Sequence, residues 1–121
     1  MALFLMKALA VPESRLPTPN TLRYADVGTT HTLYRFVEGA ARRSLDEGGC
    51  GGGKFCPDTP IPRAQAATLI VRALHMTNPS PPVESHFKDV PPSDPAHLFI
   101  EELARRGVTG CSTVAFCPTA R

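Results

Sequence analysis

The chain has 121 residues, with 13 Lys and Arg against 11 Asp and Glu and a net charge of +2. That length allows one domain at most, and the interspersed charges exclude the basic stripe of a nucleic-acid binder. A hydrophobic content of 42% with 20% charge is ordinary for a globular protein, while 13 prolines and 9 glycines point to many loops and little sheet.

The first predicted element is a helix from Met1 to about Ala10, with Phe4, Leu5, Ala8 and Leu9 on one face. It is not read as a secretory signal: no basic stretch precedes it, Lys7 interrupts it, and the same pattern recurs internally at Ala66 to Leu74. No apolar run approaches the ~18 residues of a membrane span. Any export signal or anchor is expected in a longer parent sequence. VPESRLPTPN holds three prolines in ten residues and reads as linker.

A second helix is expected from about Thr30 to Leu45, with Leu33, Phe36, Val37, Ala40 and Ala41 on one face. Arg42 and Arg43 suit the negative end of its dipole, and Gly48 and Gly49 are expected to stop it. A third helix should run from about Arg63 to Met76, followed by the linker NPSPPVES. The fourth, about Pro95 to Arg106, presents Phe99, Ile100, Leu103 and Ala104 and ends at Gly107. No segment shows sustained strand alternation, so the expected class is all-α, built from helix, Cys-bearing loop and helix.

These elements repeat. FKDV at Phe87 to Val90 is followed by an apolar stretch ending in ARR, then GC and FCP; YADV at Tyr24 to Val27 is followed by the same series. Asp26 and Asp89 lie 63 residues apart, whereas Cys50 and Cys111, and Cys56 and Cys117, lie 61 apart. The first copy therefore carries two extra residues between its ARR and its first Cys. A shift of 65 lays Met1 to Leu9 over Ala66 to Leu74, which identifies a further partial copy at the start. The expected division is 1–19, the second helix of a truncated repeat with its linker; 20–83, a whole repeat; and 84–121, the first half of another. Fixed-period copies imply supersecondary units that cannot bury their apolar faces alone.

Each cysteine pair reads C-x5-C in an equivalent loop, which fits two local disulfides, one four-Cys zinc site or free thiols. The spacing exceeds that of zinc knuckles and the pairs sit in separate repeats, so one bridge per loop, Cys50–Cys56 and Cys111–Cys117, is favoured. Bridges would place the protein in an oxidising compartment. GGCGGGKF, Gly48 to Phe55, matches seven positions of a phosphate-binding loop, but Phe55 stands where a hydroxyl must bind magnesium and no strand precedes it. We read it as chance composition.

Pro62 suits the first turn of the third helix, which places Arg63 near an N-terminus where a cation opposes the dipole. An anionic ligand would gain from both the helix N–H groups and the guanidinium fork. A surface ion pair with an acid such as Asp58 is the other reading. His31, His75, His86 and His97 share no ligand spacing, and no metal or other cofactor is expected. No Ser, His and acid constellation suggests an enzyme.

The ordered motifs FKDV, RRGVTG and FCP, and YADV, GGC, FCP and PRAQ, resemble the S-layer homology repeat in a variant with GC and FCP in its loop. The resemblance implies a bacterial, secreted, non-catalytic module of helical repeats packed on neighbouring repeats of a parent chain. It implies cell-surface anchoring through an acidic, often pyruvylated, cell-wall polysaccharide. By similarity Arg63 contacts the ligand carboxylate, with Gln65 on the same turn and Val108, Thr109 and Gly110 lining a groove between repeats. A structural spacer or protein-interaction repeat on a secreted enzyme, without glycan binding, is the alternative. The family's T-R-A-E helix start is IPRAQ here, which removes the Thr and Glu of a capping box.

Overall fold

The computed structural model describes residues 1–18, 22–76, 79–108 and 110–121. Its helices are α1 (Ala2–Ala8), α2 (Tyr34–Ala41), α3 (Arg63–Ala73) and α4 (His97–Arg105), with a 3-10 turn at Glu13–Arg15. Among the described residues there is no strand, only an isolated bridge between Gly51 and Lys54. The fold is all-α. Two compact units form, Met1–Thr59 and Pro60–Arg121. No described helix is long and apolar enough to cross a membrane.

Helices α1, α2 and α3 end earlier than periodicity alone suggests, α4 closes at Gly107 as expected, and all four described helices end alike. After α1, the Ala10 N–H donates to the Lys7 carbonyl and Val11 to Met6; after α2, Ser44 donates to Ala41 and Leu45 to Ala40. After α3, His75 donates to Arg72 and Met76 to Val71; after α4, Gly107 donates to Ala104 and Val108 to Leu103. Each is a Schellman closure, with a left-handed residue (φ 51, 56, 61 and 81° at Ala10, Ser44, His75 and Gly107) just past the helix. Only one of the four is glycine. The other three accept a left-handed backbone at a cost of about 1–2 kcal/mol, so no glycine marks those stops in the sequence. Gly48 and Gly49 therefore do not stop α2; Ser44 does.

Helix starts are also duplicated. The His31 N–H donates to the Gly28 carbonyl, and the His31 Nδ1 accepts the Leu33 N–H at 3.1 Å. In the second unit Asp94 donates to Pro91 and its Oδ1 accepts the Ala96 N–H at 2.7 Å. His31 thus corresponds to Asp94, not to His97. His97 instead occupies the position of Tyr34, buried with its Nδ1 3.0 Å from the Val90 carbonyl.

In the first unit α1 packs on α2 and buries Leu5, Met6, Tyr24, Val27, Tyr34 and Val37. In the second, α3 packs on α4 around Val71, Phe87, Val90, Ile100, Leu103 and Phe116. Each unit therefore joins the last helix of one sequence copy to the first helix and loop of the next. Arginines tack down the proline-rich linkers: Arg35 Nε donates to the Pro17 carbonyl at 3.2 Å, and Arg105 Nη2 to that of Ser80 at 3.3 Å.

Candidate functional site

The aspartate of each FxDV motif fastens the cysteine loop. Asp26 accepts the Phe55 N–H on Oδ1 at 2.8 Å and the Cys56 N–H on Oδ2 at 2.7 Å. Asp89 accepts the Phe116 and Cys117 N–H groups at the same two distances. Cys56 and Cys117 are left-handed, at φ 56 and 58°, a turn that lets successive N–H groups converge on one anion. The bonds from Phe55 and Phe116 hold the two carboxyls below the usual carboxylate range, against the opposing effect of desolvation.

Disulfides close both loops, Cys50 to Cys56 and Cys111 to Cys117, each with Cα atoms 5.9 Å apart. The glycine before the first cysteine has a steric cause. A Cβ on Gly49 would stand 2.2 Å from the Lys54 carbonyl oxygen, and one on Gly110 would stand 2.0 Å from that of Ala115. A third shared element is a buried carboxylate: Glu38 accepts the Arg23 N–H at 3.2 Å and Glu101 the His86 N–H at 2.8 Å. The sequence reading passed over Glu38 and Glu101, although their spacing of 63 is that of the two aspartates.

The copies part beside the ends of α2 and α4. In the first unit Leu45 is buried, and Asp46, also buried, accepts the Tyr24 hydroxyl and lies 3.4 Å from Arg23 Nε. Burial, then the bond to Asp46, raises the Tyr24 pKa. In the second unit Phe87 stands for Tyr24 and His86 for Arg23, and Val108, the counterpart of Leu45, is 46% exposed. A hollow of about 230 Å³ opens there, lined by His86, Phe87, Gly107, Val108, Ser112 and Thr113.

Arg63 opens α3 and is bound to the second loop. Its N–H donates to the Ala120 carbonyl at 2.8 Å and that of Ala64 to Pro118 at 3.0 Å, so the loop caps the helix. Its Nε donates to the Phe116 carbonyl at 3.0 Å, and its guanidinium carbon lies 4.8 Å from the centre of the Phe116 ring. The first two helix N–H groups, expected to meet an anion, are thus engaged by carbonyls of the same chain. Gly110 also adjoins Phe116, where an added Cβ would approach the Cα to 2.7 Å. Arg63 and Gly110 therefore share one neighbour. Val108 lies on the hollow with Phe87, whose ring centre is 5.4 Å from that of Phe116. Gln65 is half-buried on the first turn of α3, and Thr109 lies outside the described residues.

Among the described residues no three His, Cys, Asp or Glu side chains come together as a metal-binding group. What the arrangement offers chemically is an oriented guanidinium on an aromatic ring, next to a loop closed by a disulfide. No family model matches the chain, and neither a curated protein nor a solved structure matches it.

Proposed function

We propose that the chain is a run of S-layer homology type repeats serving as a non-catalytic anchor, which holds a larger secreted protein to the bacterial cell surface. Its ligand is an acidic cell-wall polysaccharide of the pyruvylated kind, taken up in grooves between repeats, and its protein partners are the neighbouring repeats of the parent chain. The carrying observation is Arg63: its Nε bond to the Phe116 carbonyl and its seat over the ring hold a planar fork in one orientation before any ligand arrives. Such pre-orientation lowers the ordering cost of binding a carboxylate bidentately. The two disulfides suit an oxidising compartment, in keeping with an extracellular location.

A second reading is a structural spacer without glycan affinity. It is favoured by the carbonyls of Ala120 and Pro118, which take the α3 N–H groups, and by the use of Arg63 as a fastener for the loop. Pelleting with purified pyruvylated cell walls separates the two. Under the anchoring reading the wild-type chain pellets, Arg63→Ala loses about tenfold or more in affinity, the scale of one charge-assisted contact, and Arg63→Lys recovers only part of it. Binding unchanged by Arg63→Ala overturns the assignment of Arg63, and a wild-type chain left in the supernatant favours the spacer.

A further inference from the structure

The two loops are built alike, and the second is joined to Arg63. The Asp89 carboxylate takes the N–H groups of Phe116 and Cys117. The same Phe116 turns its carbonyl to Arg63 Nε and its ring to the guanidinium. Phe116 is 3% exposed and its ring centre lies 5.4 Å from that of Phe87, so a shift of its backbone carries the ring with it. Asp26 holds Phe55 and Cys56 by bonds of the same lengths, and Phe55 packs on Tyr24 instead.

We propose that Asp89 is a positioning residue for anion binding: through the backbone of Phe116 it fixes the carbonyl and ring that aim Arg63, a connection that Asp26, which holds Phe55 and Cys56, does not make to Arg63. This rests on the anchoring reading for its ligand. It also goes beyond that reading, because it gives an aspartate of the repeat signature a part in the affinity of the Arg63 site. Loss of the Asp89 anchor frees Phe116 to shift, and a small displacement of the guanidinium removes the bidentate geometry on which carboxylate recognition depends.

The test compares Asp89→Asn with Asp26→Asn in the full chain. Both keep the side-chain shape and both replace a carboxylate oxygen facing an N–H with an amide that can turn a donor toward it. Two readouts are taken: affinity for purified pyruvylated wall polysaccharide, and the exchange rate of the Arg63 Nε–H with solvent in ligand-free protein, read by NMR. We expect Asp89→Asn to weaken binding about tenfold and to speed Arg63 Nε–H exchange, on the scale of one charge-assisted bond. Asp26→Asn should stay within about twofold on both while lowering the melting temperature comparably. Equal losses of affinity in both variants, or an Arg63 signal indifferent to Asp89→Asn, overturn the proposal. If the wild-type chain shows no affinity for the polysaccharide, the anchoring reading fails, and the Arg63 exchange rate still decides whether Asp89 positions it. Should Asp89→Asn fail to fold, Phe116→Leu against Phe55→Leu puts the same proposal to the test, since Phe116 lies under the guanidinium of Arg63 and Phe55 packs on Tyr24.

Discussion

The first and second units share their fastenings and differ in a few residues beside the helix that precedes each cysteine loop. Asp26 and Asp89, Glu38 and Glu101, Gly49 and Gly110, and the two disulfides occupy matching places with matching partners. Between Leu45 and Gly49 the first unit has three residues; between Val108 and Gly110 the second has one. The longer segment brings Asp46 to the Tyr24 hydroxyl and to Arg23, while the shorter one accompanies an exposed Val108 and an open hollow. A repeat can thus keep its frame through backbone-directed carboxylates and still vary the surface beside it, because those carboxylates bind N–H groups that every sequence supplies.

The largest expected effect strikes that frame. Gly110→Ala should cost about 3 kcal/mol, since its Cβ would collide with the Ala115 carbonyl, a backbone atom that cannot swing aside. Gly49→Ala should cost about 1 kcal/mol more, because φ 72° adds a left-handed penalty. Urea midpoints of the two variants check this, and losses below about 1 kcal/mol would show that the loops give way more easily than their close packing implies. The next effect sharpens the contrast. Tyr24→Phe deprives the buried Asp46 of a donor and should cost about 1–2 kcal/mol. A melting temperature equal to wild type would mean that Arg23 alone satisfies Asp46.

Periodicity placed the helices, and in α2 and α4 Val37, Ile100 and Leu103 lie on the faces that become buried; in α1 the expected face failed, since Leu5 is buried with Ala2 and Met6 while Phe4 is 59% exposed. It missed the ends of α1, α2 and α3, because Ala10, Ser44 and His75 adopt left-handed closures that no residue preference announces, whereas Gly107 closes α4 as expected. Repeat offsets found both cysteine loops and the site of the insertion. They also held Glu38 and Glu101, overlooked because a carboxylate on a helix reads as solvated until its backbone partner is seen. The FxDV aspartates were visible as a signature but not as anchors, for the N–H groups they hold lie 27 to 30 residues away. Arg63 stood out as a cation at a helix start. Its offset turned out to include the Phe116 carbonyl and ring, a long-range pairing that only the fold reveals.

One carboxylate fastening is built twice in this chain, and amide hydrogen exchange followed against pH tests that duplication most directly. Both aspartates have folded pKa values below the ordinary unfolded value of about 3.9, so the stability they contribute is present above that pH and is lost as pH falls through the folded value. We predict that the amides of Phe55, Cys56, Phe116 and Cys117 are protected in both copies above about pH 4. Each pair should lose protection together on acidification, and separately in Asp26→Asn or Asp89→Asn. Rapid exchange of these amides at neutral pH, or protection confined to one copy, would contradict it.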